Sequence, residues 1–403
     1  MPCNRARAAE IMRERRLDAL VTSSQANLTY VLNYPTLSSC MSEATIFAVL
    51  PADPTAGPMV VASRNSASMV AEWALNVQDV WLWGVYHVEF PEDVPMDRLP
   101  KLPRRHAAML REAKSVGTAF EGLREGLKAR GLLGGHIGFD EKGLPSPKFF
   151  DQVVATLPDT EVVMANHVFR KIRMIKTPEE IGLMERAAQI NDEAWFAAAK
   201  AIRPGVTENA LGDIFRQTVR RPGGIPIYVS INGGPRGCLA TAEASDYALQ
   251  TGDGIRFDLN VSYQNYFGDT ARTACVGTPS EKLKRYHRAT AEGLARAEAA
   301  MRPGVKASEI FRLCSDTIRA AGMPNFRQNH VGHALGVECY DLPLIGPMDD
   351  TPLEEGMVIN LEAPFYEVGF GAVHLEDTYV VTATGSRRFA RTSRDLFVAC
   401  QSV

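Results

Sequence analysis

The sequence has no CxxC pair, no run of five like charges and no uninterrupted apolar stretch near the roughly 18 residues that a membrane-spanning helix needs. Each absence removes a class of protein. The seven cysteines (Cys3, Cys40, Cys238, Cys275, Cys314, Cys339 and Cys400) are odd in number and scattered, which argues against a disulfide framework. Reduced thiols in a cytoplasmic protein are expected. Lys and Arg total 44 against 47 Asp and Glu, a formal charge of −3, so neither nucleic acid nor a membrane surface is an expected partner. Met1 to Leu17 is rich in Arg and Glu without an apolar core, so no secretory signal is expected. What remains is an ordinary globular composition, 45% apolar and 23% charged, in 403 residues, enough for two or three domains.

The first 165 residues alternate helix-like and strand-like pieces and predict a small α/β domain. Ala6–Arg16 has helical spacing, Ala19–Val21, Ala44–Leu50, Met59–Ala62 and His136–Phe139 read as strands, and Arg105–Arg130 reads as one helix. Trp81, Trp83 and Val85 alternate onto one face of a strand over Val80–Val88. Residues Phe90–Pro103 hold four prolines and predict an exposed excursion. A boundary is expected near Asn166–Lys176, giving domains set at 1–165 and 166–403. Thr177-Pro-Glu-Glu180 then starts a long helix: Thr177 can cap, Pro178 loses no needed N–H, and Glu180 can reach back to the cap.

The second half repeats itself. Ile202-Arg-Pro-Gly-Val206 and Met301-Arg-Pro-Gly-Val305 recur at an offset of 99 residues, each between two helical stretches and ahead of a strand hairpin. Thr278-Pro-Ser-Glu281 announces the later helix pair as Thr177-Pro-Glu-Glu180 announces the first. Two copies, about 177–277 and 278–382, predict an α+β domain with internal pseudo-twofold symmetry rather than a solenoid, which needs about three repeats.

Each hairpin carries two acids in apolar surroundings. Asp258 and Asp269 are 11 residues apart across one turn, and Glu362 and Glu376 are 14 apart across another. Folding each hairpin and applying the twofold brings four carboxylates together. Like charges a few Å apart either protonate or require cations. Four acids with one imidazole, His333 in Val331-Gly-His-Ala-Leu-Gly336, suit two divalent transition metals with an activated water between them.

These residues resemble a known family. From about Lys171 to Val381 the pieces IRMIKTPEEI, GDGIRFDLN, YFGDTART, VGHALG, EEGMVINLEAP and HLEDTYVVT are similar to the pita-bread fold of methionine aminopeptidase, aminopeptidase P, prolidase and creatinase. The N-terminal domain resembles that of prolidase, aminopeptidase P and creatinase. The resemblance implies that Asp258, Asp269, His333, Glu362 and Glu376 bind two divalent ions (Mn, Fe, Co or Zn), with Asp269 and Glu376 bridging. It also implies a homodimer and a small or dipeptide-like substrate.

Four positions depart from the family pattern. Thr241 and Tyr340 stand where the peptidases place histidines, Asn260 where they place glycine, and His374 where arginine is common. Neither a threonine nor a tyrosine can act as an imidazolium donor near neutral pH. The expected activity is therefore hydrolysis of a C–N bond, amide or peptide-like, in a small polar substrate. Metal-bound hydroxide would be the nucleophile and Glu362 the proton shuttle. Thr241, His330, Tyr340 and His374 are the expected substrate contacts, with His374, Tyr340 and Asp341 as further catalytic candidates. Three alternatives remain: an Xaa-Pro dipeptidase or aminopeptidase proper, a dimethylsulfoniopropionate lyase-like β-elimination using Tyr340 or Asp341 as base, and a non-catalytic binding module of the same fold.

Overall fold

The computed structural model describes residues 3–35, 45–90, 95–140 and 148–399, and the chain divides into two compact units, Met1–Arg173 and Met174–Val403. Cys40, Cys400 and the start of the proline-rich excursion lie outside the described residues.

The first unit is a mixed sheet with helices. Its strands are β1 (Ala19–Thr22), β2 (Phe47–Pro51), β3 (Met59–Ser63), β4 (Asp79–Trp83), β5 (Lys114–Val116), β6 (His136–Asp140) and β7 (Glu161–Met164), in the order β5-β4-β3-β2-β1-β6-β7. β1 runs antiparallel to β2 and parallel to β6. The helices are α1 (Arg5–Glu14), α2 (Gln25–Leu32), α3 (Ala67–Trp73), α4 (Lys101–Glu112), α5 (Ala119–Ala129), α6 (Lys148–Thr156) and α7 (Asn166–Arg173). The apolar face of α5, Leu123 and Leu127, joins Val21, Phe47, Val49, Val61, Ile137 and Phe139 in one core.

Three sequence readings shift here. The helix expected over Arg105–Arg130 is two helices, because β5 pairs with β4 between them and Thr118 caps α5 by accepting from Glu121 N–H. The strand expected to reach Val88 ends at Trp83, after which Gly84 turns at φ +75° and Val85 is 97% exposed. The division between units falls after Arg173, inside the expected Asn166–Lys176 span and past the 165/166 cut, because α7 packs on α1 and β6 and Arg173 donates to Asn27 Oδ1.

The second unit is built around a nine-stranded sheet. Its strands are β8 (Ile225–Gly233), β9 (Gly254–Tyr263), β10 (Tyr266–Val276), β11 (Gly332–Ala334), β12 (Asp341–Leu344), β13 (Val358–Glu362), β16 (Glu376–Val381), β17 (Ser386–Arg388) and β18 (Phe397–Ala399). A small hairpin of β14 (Phe365–Glu367) and β15 (Gly371–Val373) packs beside β9. The main order is β12-β11-β13-β16-β10-β9-β8. Outward from the central β10·β16 pair, β9 and β8 lie on one side and β13 and β11 on the other, which is the twofold arrangement. Helices α8 (Pro178–Ala199) and α9 (Glu208–Arg220) cover one half. Helices α10 (Glu281–Ala300) and α11 (Ala307–Ala320) cover the other.

The two Arg-Pro-Gly-Val turns do the same thing. Gly205 and Gly304 adopt φ +83° and +88°, the left-handed region where a Cβ is costly. Their N–H groups donate to Leu249 O and Leu353 O, and those two residues donate back to Val206 O and Val305 O. The helix starts differ slightly. Thr177 and Glu180 form a reciprocal capping box, whereas α10 is capped by Ser280, not Thr278.

The sheet's helix-facing side holds one polar network. Arg272 on β10, fully buried, donates to Ala271 O and Glu376 O and pairs with Asp377. Arg388 and Arg394 reach the other Asp377 oxygen at 3.1 and 2.6 Å. Removing one partner of a buried ion pair strands the rest, at a cost of about 3–5 kcal/mol. Asp377→Asn is therefore expected to lower stability by about that amount in urea denaturation. A loss well under 1 kcal/mol would mean that the three guanidiniums are satisfied without it.

Glu180 supplies a pH signature. It accepts from Thr177 N–H and Tyr266 O–H, and burial pushes its carboxyl up to about 7. A carboxyl raised in the folded state favours folding while protonated, and this advantage fades as pH rises from about 4.5 to about 7. Glu180→Gln can keep accepting from Thr177 N–H through its amide oxygen while its NH2 donates to the Tyr266 hydroxyl oxygen, and it cannot ionise. From pH 5 to pH 8 the variant should gain about 2 kcal/mol relative to the wild type. Parallel stability curves for the two proteins would contradict this.

Candidate metal centre

Strand alternation sorts side chains by face, and the register does the rest. On β9, Phe257, Leu259 and Val261 join the helix-side core, so Arg256, Asp258 and Asn260 face the other way. Ile359 and Leu361 of β13 do likewise, turning Asn360 and Glu362 to that second face. Paired residues share a face, and one row crosses five strands: Ser230, Asp258, Ala271, Glu376 and Glu362. The neighbouring row carries Tyr228, Asn260 and Asp269 from one half, and Thr378, Asn360 and His333 from the other. Thr378 Oγ1 donates to Asp269 O, joining the halves. Ala271 keeps the middle of the first row small.

β11 approaches β13 closely at His333. Gly332 sits at φ +152°, and a Cβ there would lie 2.2 Å from Asn360 O. Only glycine lets the histidine strand dock at that depth.

The donors converge. His333 Nε2 lies 3.7 Å from Glu362 Oε1 and 3.9 Å from Asp269 Oδ2. His374 Nε2 lies 3.3 Å from Glu362 Oε2 and 4.0 Å from Glu376 Oε2. Two three-donor sets form, Asp269/His333/Glu376 and Glu362/His374/Glu376, with all donor atoms of each set within 4.8 Å of one another. Glu376 belongs to both. His333 Nδ1 faces Ala334 O at 3.1 Å, so Nδ1 carries the proton and Nε2 presents a lone pair.

Buried polar atoms without partners cost free energy unless something absent completes them. Here they cluster: Asp269 Oδ1, His333 Nε2, Glu376 Oε2 and both His374 nitrogens make no hydrogen bond and are shielded from solvent. Burial, then the Asp258 charge, pushes Asp269 up to about 8, and burial with Asp269 and Glu362 raises Glu376 well above its usual range. Burial raises Glu362 as well, but His330, His374 and His333 outweigh it and hold this carboxyl below its ordinary value. Anionic oxygens and imidazole lone pairs with no other partner fit divalent transition metal ions.

Neighbours fix the cluster. Asn360 Nδ2 donates to Glu376 Oε1 and Thr378 Oγ1 to Asn360 Oδ1. Arg256, fully buried, donates at 2.8 Å to Asp258 Oδ2 and also to Ser230, Asn232 and the Leu239 carbonyl. Neither Arg256 nor Asn360 stood out in the sequence, although both lie two residues from an acid on a strand and so share its face. Cys339 Sγ, at 3.2 Å from Asn260 Oδ1 and 3.4 Å from Asp269 Oδ2, is the cysteine at the cluster.

The remaining expected residues divide. His330 Nε2 lies 3.0 Å from Glu362 Oε1. Tyr340 stacks on His333 with ring centroids 3.8 Å apart, and its phenol is raised by burial and then by Glu362, Glu376 and Asp269, so it stays protonated. Thr241 is exposed, on the loop whose Leu239 and Ala242 carbonyls bind Arg256 and Ser230. Asp341 is buried at the start of β12, where Oδ1 accepts from Leu342 N–H and Oδ2 shares the space beside Gly336 with Lys176 Nζ.

A pita-bread sheet carrying a buried carboxylate and imidazole cluster defines a metallohydrolase. The chain belongs to metallopeptidase family M24, whose model matches residues 182–383, and the Creatinase/Prolidase N-terminal domain model matches 5–175. Members of this family use divalent metals. The chain is 26% identical over 392 residues to the Xaa-Pro dipeptidase of Pyrococcus horikoshii, covering 96% of each. It is 31% identical over 285 residues to that of Pyrococcus furiosus, covering 64% of this chain and 82% of the relative. The solved Xaa-Pro dipeptidase of Bacillus anthracis shares the fold, with a TM-score of 0.79 at 22% identity over 98% of this chain and 100% of that one.

Asp269→Asn removes one charge from the centre of the cluster while keeping its size. The variant is expected to fold, to retain under about a tenth of the wild-type turnover and to bind divalent ions at least about tenfold more weakly. Mass-spectrometric metal counting after dialysis, with an activity assay, checks this. Full metal content and turnover would remove Asp269 from the site.

Proposed function

We propose that this chain is a dinuclear metal-dependent hydrolase that cleaves an amide or peptide-like C–N bond in a small polar substrate. The observation that supports it most is the set of partnerless donors on Asp269, His333, Glu376 and His374 among four carboxylates. Asp258, Asp269, His333, Glu362 and Glu376 would hold the ions. The oxygen-rich set favours Mn or Fe over Zn. Bound there, divalent ions supply an activated water at neutral pH and polarise the substrate carbonyl.

The chain's own groups do the rest. Glu362, kept ionised by its three histidine neighbours, accepts a proton from the attacking water and returns it to the leaving nitrogen. Tyr340, kept as a neutral phenol, donates a hydrogen bond to a substrate oxygen instead of acting as a base. Thr241 adds a neutral hydroxyl. A lyase needs a carbon-directed base, and the candidates named for it are a protonated phenol and an Asp341 held at the start of β12.

A second reading, an Xaa-Pro dipeptidase, is supported by the names of the relatives and opposed by the two replaced histidines. The odd number and scattered spacing of the cysteines are the basis for proposing a cytoplasmic setting, and the family resemblance is the basis for proposing a homodimer.

Purified protein loaded with Mn2+ or Co2+ should release an amine from N-acyl amino acids or short amides. Chelation should lower this by at least about 100-fold, and added metal should restore it. Proline released from Xaa-Pro dipeptides faster than any other product would favour the second reading, and acrylate from dimethylsulfoniopropionate without any amine would overturn the hydrolase.

A further inference from the structure

Three imidazoles face the carboxylate cluster; His330 directs its nitrogens to Asn329 and Glu362, and of the other two the sequence gives a metal only to His333. His374 was expected to touch substrate. Its side chain is 2% exposed, and it lies two residues before Glu376 in the run leading into β16. Its backbone is pinned by reciprocal contacts with Thr273 Oγ1. Neither ring nitrogen makes a well-directed hydrogen bond among the described residues, the close approach being Nε2 to Glu362 Oε2 at 3.3 Å. A shielded imidazole with two unused nitrogens is poorly placed to meet an incoming substrate and well placed to complete something resident.

The spacing says what that is. Two donors held by one ion at about 2.1 Å are about 3.0 Å apart at a right angle and about 4.2 Å apart when opposite. His374 Nε2 stands 3.3 Å from Glu362 Oε2 and 4.0 Å from Glu376 Oε2, inside that interval. His333 Nε2 stands 3.7 Å from Glu362 and 3.9 Å from Asp269, in the same interval. The two histidines thus approach the acids with matching geometry from opposite sides of the sheet's centre.

Charge agrees with this. Arginine at position 374, the pattern common in the family, cannot ligate a metal, whereas a neutral imidazole can. The permanent cation beside Asp258 is Arg256, at 2.8 Å. His374 Nδ1, 3.8 Å from Asp258 Oδ2, then has a carboxylate toward which to direct its proton, as metal-bound histidines usually do.

We propose that His374 is a sixth metal ligand, bound through Nε2 with Glu362 and Glu376, so that each ion carries one imidazole. The other set is Asp269, His333 and Glu376. This rests on the dinuclear reading above and goes beyond it, because it takes His374 out of the substrate site. A second imidazole also moves the centre's preference from Mn toward Co and Zn.

The test uses the full-length protein, stripped of metal and reloaded with Co2+, by paramagnetic proton NMR in water. Each imidazole bound to cobalt shows one strongly shifted, exchangeable N–H resonance. Two are expected in the wild type, with His374→Gln and His333→Gln each removing a different one. Cobalt titration of His374→Gln should show one ion weakened beyond the roughly 10–100-fold typical of losing an outer partner, and the other little changed. A single resonance, absent in His333→Gln and unchanged in His374→Gln, would overturn this inference and leave the dinuclear centre intact. A folded wild type that takes up no cobalt would overturn both. If His374→Gln is unstable, the wild-type count of two or one still decides.

Discussion

Four carboxylates on adjacent strands of one sheet repel one another, and burial makes the repulsion worse. Asp258, Glu376 and Glu362 occupy one cross-strand row, and Asp269 sits in the next. Without a cation the cluster can only take up protons, which is why Asp269 and Glu376 are driven up while Glu362, surrounded by three imidazoles, goes down. The rest of the second unit can be understood as a frame that keeps this unfavourable arrangement from relaxing. Arg256 and Asn360 clamp individual carboxylates. Arg272, reaching the Glu376 carbonyl from the opposite face, ties β10 to β16 where their acids meet.

Symmetry makes such a frame possible. Each half contributes two helices, an Arg-Pro-Gly-Val turn and a pair of acid-bearing strands, and each half buries its apolar face under its own helices. Neither half alone holds enough donors for a pair of ions. Joining them through β10 and β16 puts the acids on four adjacent strands, β9, β10, β16 and β13, none of them at a sheet edge. Gly268 on β10 shows how tightly the helices are drawn in, since a Cβ there would lie 2.6 Å from the α8 backbone at Ala187 and Ala188. That closeness fixes the height of the sheet under the site.

Much of this was legible in the sequence because it was written twice. The repeated turn and the two acid-bearing hairpins point to convergence before any coordinates are seen. What was not legible depends on long-range register. That Ala271 pairs with Glu376, 105 positions away in sequence, is fixed by packing of the two halves and by no local pattern. Arg256 and Asn360 carry no motif that marks them in the sequence, although period-two alternation puts both on the acid face. The helix expected over Arg105–Arg130 broke because Gly117-Thr118 offers a start signal in mid-run and tertiary pairing of β5 uses it. His374 was singled out, but its depth was hidden, since sequence reports a face and not an exposure.

The substrate side follows from what the cluster leaves open. His333 is covered by the stacked Tyr340 ring, and Tyr340 is about half exposed while His333 and His374 are not. On the proposed function, substrate would meet a neutral phenol where the resemblance implies an imidazole in the peptidases of this fold. A neutral donor stabilises a developing negative oxygen less than an imidazolium does, so more of that burden falls on the ions themselves. It also discriminates less in favour of a substrate carboxylate, because no charge waits there to pair with one. Smaller, less anionic substrates lose least by this exchange. On the proposed function, the same substitution would weaken the grip on an Xaa-Pro dipeptide and widen the range of C–N bonds within reach of the centre.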